Sequence, residues 1–201
     1  MPMKINKTLI IRTLMRWLAL LILKLTGWKA EGQRPDLPKY VIIAAPHTSN
    51  WDFVYIVCLS FVYRINPRIM VKSSVFFWPL GPVFKWLGAV PIDRSRSTNV
   101  VGQLIEAFQQ QEELILAVAP SGTRKKVSNW KTGFYHIANG ANVPMVLGFL
   151  DYRRKRGGFG PTIQPSGDID GDMAKIRNFY QDITGRHPKK KSPVLVDSKA
   201  L

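Results

Sequence analysis

Apolar positions along the chain fall into short, nearly unbroken runs, separated by longer stretches with helical spacing. The runs YVIIAA (40–45), RIMVK (68–72), AVPID (89–93), ELILAVAP (113–120) and NVPMVLGFLDY (142–152) are rich in β-branched and apolar residues. Continuous rather than alternating hydrophobicity is what strands buried on both faces require. Segments of helical length lie between them: NWDFVYIVCLSFVY (50–63), the amphipathic TNVVGQLIEAFQQQ (98–111), KTGFYHIANGA (131–141) closed by Gly140, and DMAKIRNFYQDITG (172–185). FFWPLGPVFKWLG (76–88) is aromatic and broken by prolines, so it reads as a surface loop with a short helix. FGPTIQP (159–165) reads as an edge strand. This alternation predicts an α/β domain with a mostly parallel central sheet, covered by helices on both faces.

The first 33 residues follow a different pattern. LIIRTLMRWLALLILKL (9–25) is interrupted by Arg12, Arg16 and Lys24, and its uncharged core, Trp17–Leu23, is far below the ~20 residues of a membrane span. No small-residue cleavage site suggests a signal peptide. Lys4, Thr8, Arg12 and Arg16 recur at four-residue intervals as a narrow polar stripe on an otherwise apolar helix. Such a helix is expected to lie in a membrane interface, or to pack on the domain's own core. RPDLPKY (34–40) is a linker out of it. The expected organisation is therefore a membrane-associating segment (1–33), a catalytic-sized domain (34–185) and a basic, mobile tail (186–201).

Charge narrows the partners. The 201 residues carry 29 Lys and Arg against 13 Asp and Glu, a formal net charge of +16. That balance attracts anions: lipid headgroups, phosphorylated substrates or nucleic acid. No nucleic-acid motif is present, and the charge accompanies an apolar N-terminal helix, so anionic membrane lipid is the expected partner and nucleic acid is not. Cys58 is the only cysteine, which excludes an intrachain disulfide and paired-cysteine zinc sites. The three histidines lack ligand spacing, so no metal site is expected.

Candidate chemistry gathers where strands end. In APHTSNWDF (45–53), His47 precedes Asp52 by five positions. On one regular helix the two would point roughly 140° apart. A strand-to-helix turn removes that obstacle: His47 sits in the loop, Asp52 in the first helical turn, and the chain folds back so that the carboxylate meets one imidazole nitrogen. The other nitrogen is then a base. Taken alone, the pair also reads as a loop histidine and a helix cap. GAVPIDRSR (88–96) ends a strand at Asp93-Arg94, and APSGTRKK (119–126) follows another with a glycine, hydroxyls and three cations. Gly122 permits close backbone approach to a ligand. Arg94, Arg124 and Lys72 are candidates to clamp a phosphate, because ligands of open α/β sheets bind outside the carboxyl ends of strands.

These blocks together resemble the glycerolipid acyltransferases, specifically the 1-acyl-sn-glycerol-3-phosphate (lysophosphatidate) acyltransferase family. HTSNWD matches the family's H-x-x-x-x-D block, GAVPIDR the second block, PSGTR (120–124) the third, and NVPMVLG (142–148) the fourth, in order over residues 40–150. The resemblance implies transfer of an acyl group from acyl-CoA or acyl-ACP, as co-substrate and without a further cofactor, to a hydroxyl of a lysophospholipid. His47 would be the base and Asp52 its orienter. Arg94 and Arg124 would hold the acceptor phosphate, and Ser121, Gly122, Thr123 and Lys72 would line the substrate site. It also implies membrane association, expected on the cytoplasmic face, and a role in phospholipid biosynthesis. One position departs from the family: Ser121 stands where the third block normally has Glu, and it cannot supply a long-reach carboxylate. Two other readings follow, a Ser121-dependent hydrolase and a non-catalytic lipid-binding relative. Against the first, Ser121 lies in A-P-S-G-T rather than G-x-S-x-G; against the second stands the intact His47-Asp52 pair.

Overall fold

The computed structural model describes residues 3–72, 80–86, 88–92 and 100–196. Its seven strands are β1 (Lys29–Glu31), β2 (Lys39–Ala45), β3 (Arg68–Lys72), β4 (Ala89–Ile92), β5 (Leu114–Val118), β6 (Met145–Asp151) and β7 (Arg156–Ile163). They form one sheet in the order β1-β7-β6-β2-β5-β3-β4. Every neighbouring pair is parallel except β6 and β7, which are antiparallel. β2 and β6 are the centre, and every residue of β6 is buried, in keeping with their unbroken apolar runs. β7 is not the edge strand its sequence suggests. β1, three residues with no apolar run of its own, pairs outside it.

The sheet has a helical layer on each side. Helices α4 (Val100–Gln110), α5 (Gly133–Gly140) and α6 (Ile169–Tyr180) cover one face, where Val41, Ile43, Leu116, Met145 and Leu147 meet Phe108, Phe134, Met173 and Ile176. The hydroxyl of buried Tyr180 lies 2.7 Å from the Ile43 carbonyl and 2.9 Å from that of Gly148, tying α6 to both central strands. Helices α1 (Met3–Thr26) and α2 (Trp51–Val62) cover the other face, joined by a short α3 (Leu80–Trp86) near β4.

α1 is turned the other way round from a soluble amphipathic helix. Two residues of its polar stripe face inward: Arg12 donates to the Ile65 carbonyl (3.4 Å) and Arg16 to that of Val62 (3.3 Å). These are carbonyls at and just beyond the C-terminal end of α2, where a cation is favoured. Ala19 and Leu23 are buried beside them, while Ile10, Leu14, Trp17, Leu18, Leu21 and Leu25 are exposed along the opposite side. No helix among the described residues is long and apolar enough to cross a membrane.

The segment expected to be a mobile tail is packed as far as residue 196. The His187 amide donates to Thr48 Oγ1 (3.2 Å), Lys191 Nζ to the Tyr180 and Gln181 carbonyls, and Ser192 Oγ accepts from the Val127 amide. The Trp130 amide donates to the Leu195 carbonyl, and Val194 is buried. The basic run 153–156 is likewise engaged: Arg154 bridges Asp151 and Glu31, and Lys155 Nζ reaches the Thr26 carbonyl.

Gly158 of β7, at φ 152°, is wedged so closely between its neighbours that a Cβ would collide with the Glu31 carbonyl of β1 and the Tyr63 hydroxyl. Gly158→Ala should therefore lower unfolding stability by about 2 kcal/mol or more, read by denaturant titration. An unchanged midpoint would mean that β1 can leave the sheet at no cost.

Candidate active site

β2 ends at Ala45, Pro46 follows, and the chain turns through His47–Asn50 into α2. Asp52, the second residue of α2, points back into that turn rather than out of the helix. Its Oδ2 accepts from His47 Nδ1 (3.1 Å), the Thr48 amide (2.8 Å) and the Ser49 amide (2.9 Å). Its Oδ1 accepts from the Tyr152 hydroxyl at 2.7 Å. Asn50, the residue before α2, makes no side-chain cap; Ser49 Oγ accepts from the Trp51 amide at the start of the helix, while the Asp52 carboxylate holds the amides of the turn that precedes it. The side chain of Asp52 is 1% exposed and that of His47 is 26% exposed, so the carboxylate is sealed while the imidazole reaches the surface.

The electrostatics follow from that burial. Desolvation alone would raise the Asp52 pKa; the hydrogen bonds from His47, Tyr152, Ser49 and Thr48 more than offset it, and the net shift is downward. An ionised carboxylate only accepts, so His47 Nδ1 carries the proton in the pair and Nε2 of a neutral ring keeps its lone pair. Burial and the Asp52 carboxylate both push the Tyr152 hydroxyl well above its ordinary pKa, so it remains a donor.

His47 borders two clefts. The larger is apolar and runs beneath it along one side of α2, past Asp52, Ile56 and Leu59 on the helix, Tyr63 just beyond its end, and Ala117, Phe149 and Phe159 on the sheet. The smaller cleft, on the other side of His47, is lined by Pro46, Pro120, Ser121, Trp130 and Lys191.

The other residues singled out in the sequence divide into three groups. Ser121–Arg124 follow β5, which lies beside β2, so this loop stands next to His47 at the carboxyl ends of adjacent parallel strands. Ser121 Oγ donates to the Thr123 carbonyl (2.8 Å) rather than to His47, Thr123 Oγ1 accepts from the Lys125 amide (3.3 Å), and Arg124 is exposed. Gly122 takes the left-handed conformation expected of the turn, φ 62°, but its amide is engaged by the Ala119 carbonyl at 2.9 Å. Lys72 ends β3, with its side chain outside what the structure describes, and Arg94 and the aromatic residues 76–78 lie outside the described residues altogether.

A family model described as Acyltransferase matches residues 31–147, more than half the chain, and spans the turn, both clefts' principal walls and the loop after β5. The chain belongs to the acyltransferase family. This acyltransferase also resembles a solved structure, the 1-acyl-sn-glycerophosphate (LPA) acyltransferase, PlsC, from Thermotoga maritima. The likeness covers 91% of this chain and 80% of that one, at a TM-score of 0.61 and 14% sequence identity, so it is a likeness of fold. No curated protein matches the sequence.

The acyltransferase's site includes residues that sequence reasoning did not find. Tyr152 lies a hundred positions from Asp52, beyond the region matched by the family model. Arg186, from the segment after α6, stands 5.4 Å over the ring of Trp51, the first residue of α2. No spacing marks either one; only the strand order brings the end of β6 and the segment after α6 to the end of β2. Together the arrangement offers a base with a fixed tautomer, a sealed counter-charge and an apolar slot at the base's side.

Because its native pKa is lowered, Asp52 contributes stability above the unfolded carboxylate value of about 4, and that contribution is lost as pH falls through the native value. Asp52→Asn should cost on the order of 2 kcal/mol at neutral pH, with the difference from the unsubstituted protein shrinking on acidification. Thermal unfolding at several pH values checks this; a difference that stays constant below about pH 3 would contradict it.

Proposed function

We propose that this acyltransferase moves a fatty acyl group from acyl-CoA or acyl-ACP to a hydroxyl of a lysophospholipid, at the membrane surface and within phospholipid biosynthesis. The acceptor hydroxyl gives its proton to His47 Nε2 as its oxygen attacks the thioester carbonyl. The tetrahedral centre then collapses, the carbon–sulfur bond breaks, and the thiolate leaves with the proton returned from His47. Asp52 holds the ring and stabilises the imidazolium formed on the way. This displacement requires neither an enzyme nucleophile nor a metal. Arg94 and Arg124 hold the acceptor's phosphate, with Lys72 as a third cation, and residues 121–123 shape the acceptor side.

The observation that carries the reading is that the His47-Asp52 pair opens directly onto the apolar cleft beside α2. A base beside polar solvent would serve many reactions; a base that opens onto an apolar cleft walled by a helix and the sheet suits a substrate with a hydrocarbon tail. The outward apolar side of α1 supports placement on a membrane: Trp17, Leu18, Leu21 and Leu25 would enter the interface while Arg12 and Arg16 stay bonded to the end of α2. In this arrangement the cytoplasmic leaflet, with its anionic lipid, attracts the cations elsewhere on the surface. The engagement of Ser121 with its own loop argues against that residue as a nucleophile.

Purified protein in liposomes, offered long-chain acyl-CoA or acyl-ACP with a panel of lysophospholipids, should yield acylated products that vanish with His47→Ala and persist with Ser121→Ala. Retained turnover in His47→Ala, or release of free fatty acid that depends on Ser121, would overturn the mechanism. Narrowing the slot should act on chain length alone. Ala117→Leu should lower kcat/KM for long-chain donors by roughly tenfold while sparing short ones, since extra methylenes in a filled slot cost about 1–3 kcal/mol. Equal loss for all chain lengths would place the acyl group elsewhere.

A further inference from the structure

We infer that Tyr152 is a positioning residue for this chemistry, fixing Asp52 so that its other oxygen stays aligned on His47, and that Trp28, at the exit of α1, holds Tyr152 there. The inference rests on the dyad reading above. It concerns two residues outside the matched family region, one on each side of it.

The two oxygens of Asp52 have separate tasks. Oδ2 collects His47 Nδ1 and the Thr48 and Ser49 amides, whereas Oδ1 is held by the Tyr152 hydroxyl. The carboxylate torsion of an aspartate is broad and roughly two-fold, so a grip on one oxygen alone leaves the plane free to swing. With both oxygens held, the plane is set, and with it the direction from which His47 Nδ1 is met. A 2.7 Å hydrogen bond to a buried carboxylate is of the strong, charge-assisted kind.

Tyr152 is in turn set by aromatic packing. Trp28 stacks on Tyr55 with ring centroids 4.2 Å apart at 25°, and meets Tyr152 edge-on at 4.8 Å and 86°. Tyr55 and Tyr152 close the triangle at 5.9 Å and 83°. Trp28 is buried, and it follows the C-terminal turn of α1, which Gly27 closes at φ 75° while the Trp28 amide returns to the Leu23 carbonyl. The same helix end is fastened to the turn that carries Tyr152: Lys155 Nζ donates to the Thr26 carbonyl, and the Lys29 amide to that of Lys155. A continuous path of contacts thus runs from the end of the outward-facing apolar helix, through Trp28 and Tyr152, to Asp52 and His47. The charged and titratable groups facing Tyr152 are Asp52, Tyr55 and Arg186.

The test uses the full chain in liposomes with its acyl donor and acceptor. Tyr152→Phe keeps the ring and removes only the hydroxyl. Its kcat should fall roughly tenfold to a hundredfold, the range expected when a hydrogen bond to a charged group is lost. The KM for both substrates should stay within about twofold. Trp28→Leu touches no atom of the dyad, yet should lower kcat in the same sense, and the double variant should fall no further than the worse single one. The His47 Nδ1 proton, observed by NMR in the unsubstituted protein, should exchange faster in Tyr152→Phe. A Tyr152→Phe enzyme with kcat unchanged, whatever its melting temperature, would overturn the inference while His47→Ala is inactive. Should His47→Ala remain active, the dyad mechanism itself falls. The NMR signal then decides the positioning claim alone, and an unchanged Nδ1 proton overturns it.

Discussion

The Asp52 carboxylate is a charge with 1% exposure, and everything around it answers that constraint. An ionised carboxylate removed from water is costly unless its lone pairs are met. Here they are met by donors from two separate parts of the chain: the 47–49 turn and the turn after β6. Satisfying Asp52 therefore fixes how β2 hands over to α2, and how the end of β6 approaches both. The segment after α6 joins the same knot, since the His187 amide bonds Thr48 Oγ1 and Gly185 packs against the Thr48 side chain. The imidazole receives its orientation as a consequence of this burial.

The same face of the sheet that carries the dyad also carries the helices α1 and α2. α2 supplies Asp52 at its start and the wall of the apolar slot along its length, and its end is capped by Arg12 and Arg16 of α1. Inward arginines and outward leucines make sense together once α1 is taken to rest on lipid: the cations meet the α2 carbonyls, and the apolar side faces a medium that welcomes it. On the proposed reading, base and slot stand on the same side of the sheet as the helix taken to face lipid, the side from which an acyl chain would enter with little exposure to water.

Much of this was legible in the sequence. The apolar runs placed β2, β3, β5 and β6 because strands buried on both faces show continuous hydrophobicity, and the five-residue spacing of His47 and Asp52 gave a turn in which the two meet. What stayed hidden depends on tertiary neighbours. Lys29–Glu31 has no strand pattern of its own and becomes β1 only because β7 offers an edge. The stripe of Arg12 and Arg16 was visible, but its direction is set by the carbonyls at the end of α2. The 186–196 segment looked mobile for its lysines, while Ser192 and Val194 anchor it. Tyr152 lies outside the four blocks that carry the family resemblance, and no local rule links it to a residue a hundred positions away.

The central claim is direct transfer by a base, with no acyl group resting on the protein. Rapid-quench intact-mass analysis of the protein mixed with a long-chain acyl thioester and its lysophospholipid acceptor tests that claim most directly. The account predicts unmodified protein at every time point during the first turnover, with product appearing at the rate of thioester loss. An acyl adduct that forms before product and maps to Ser121 or any other side chain would contradict it.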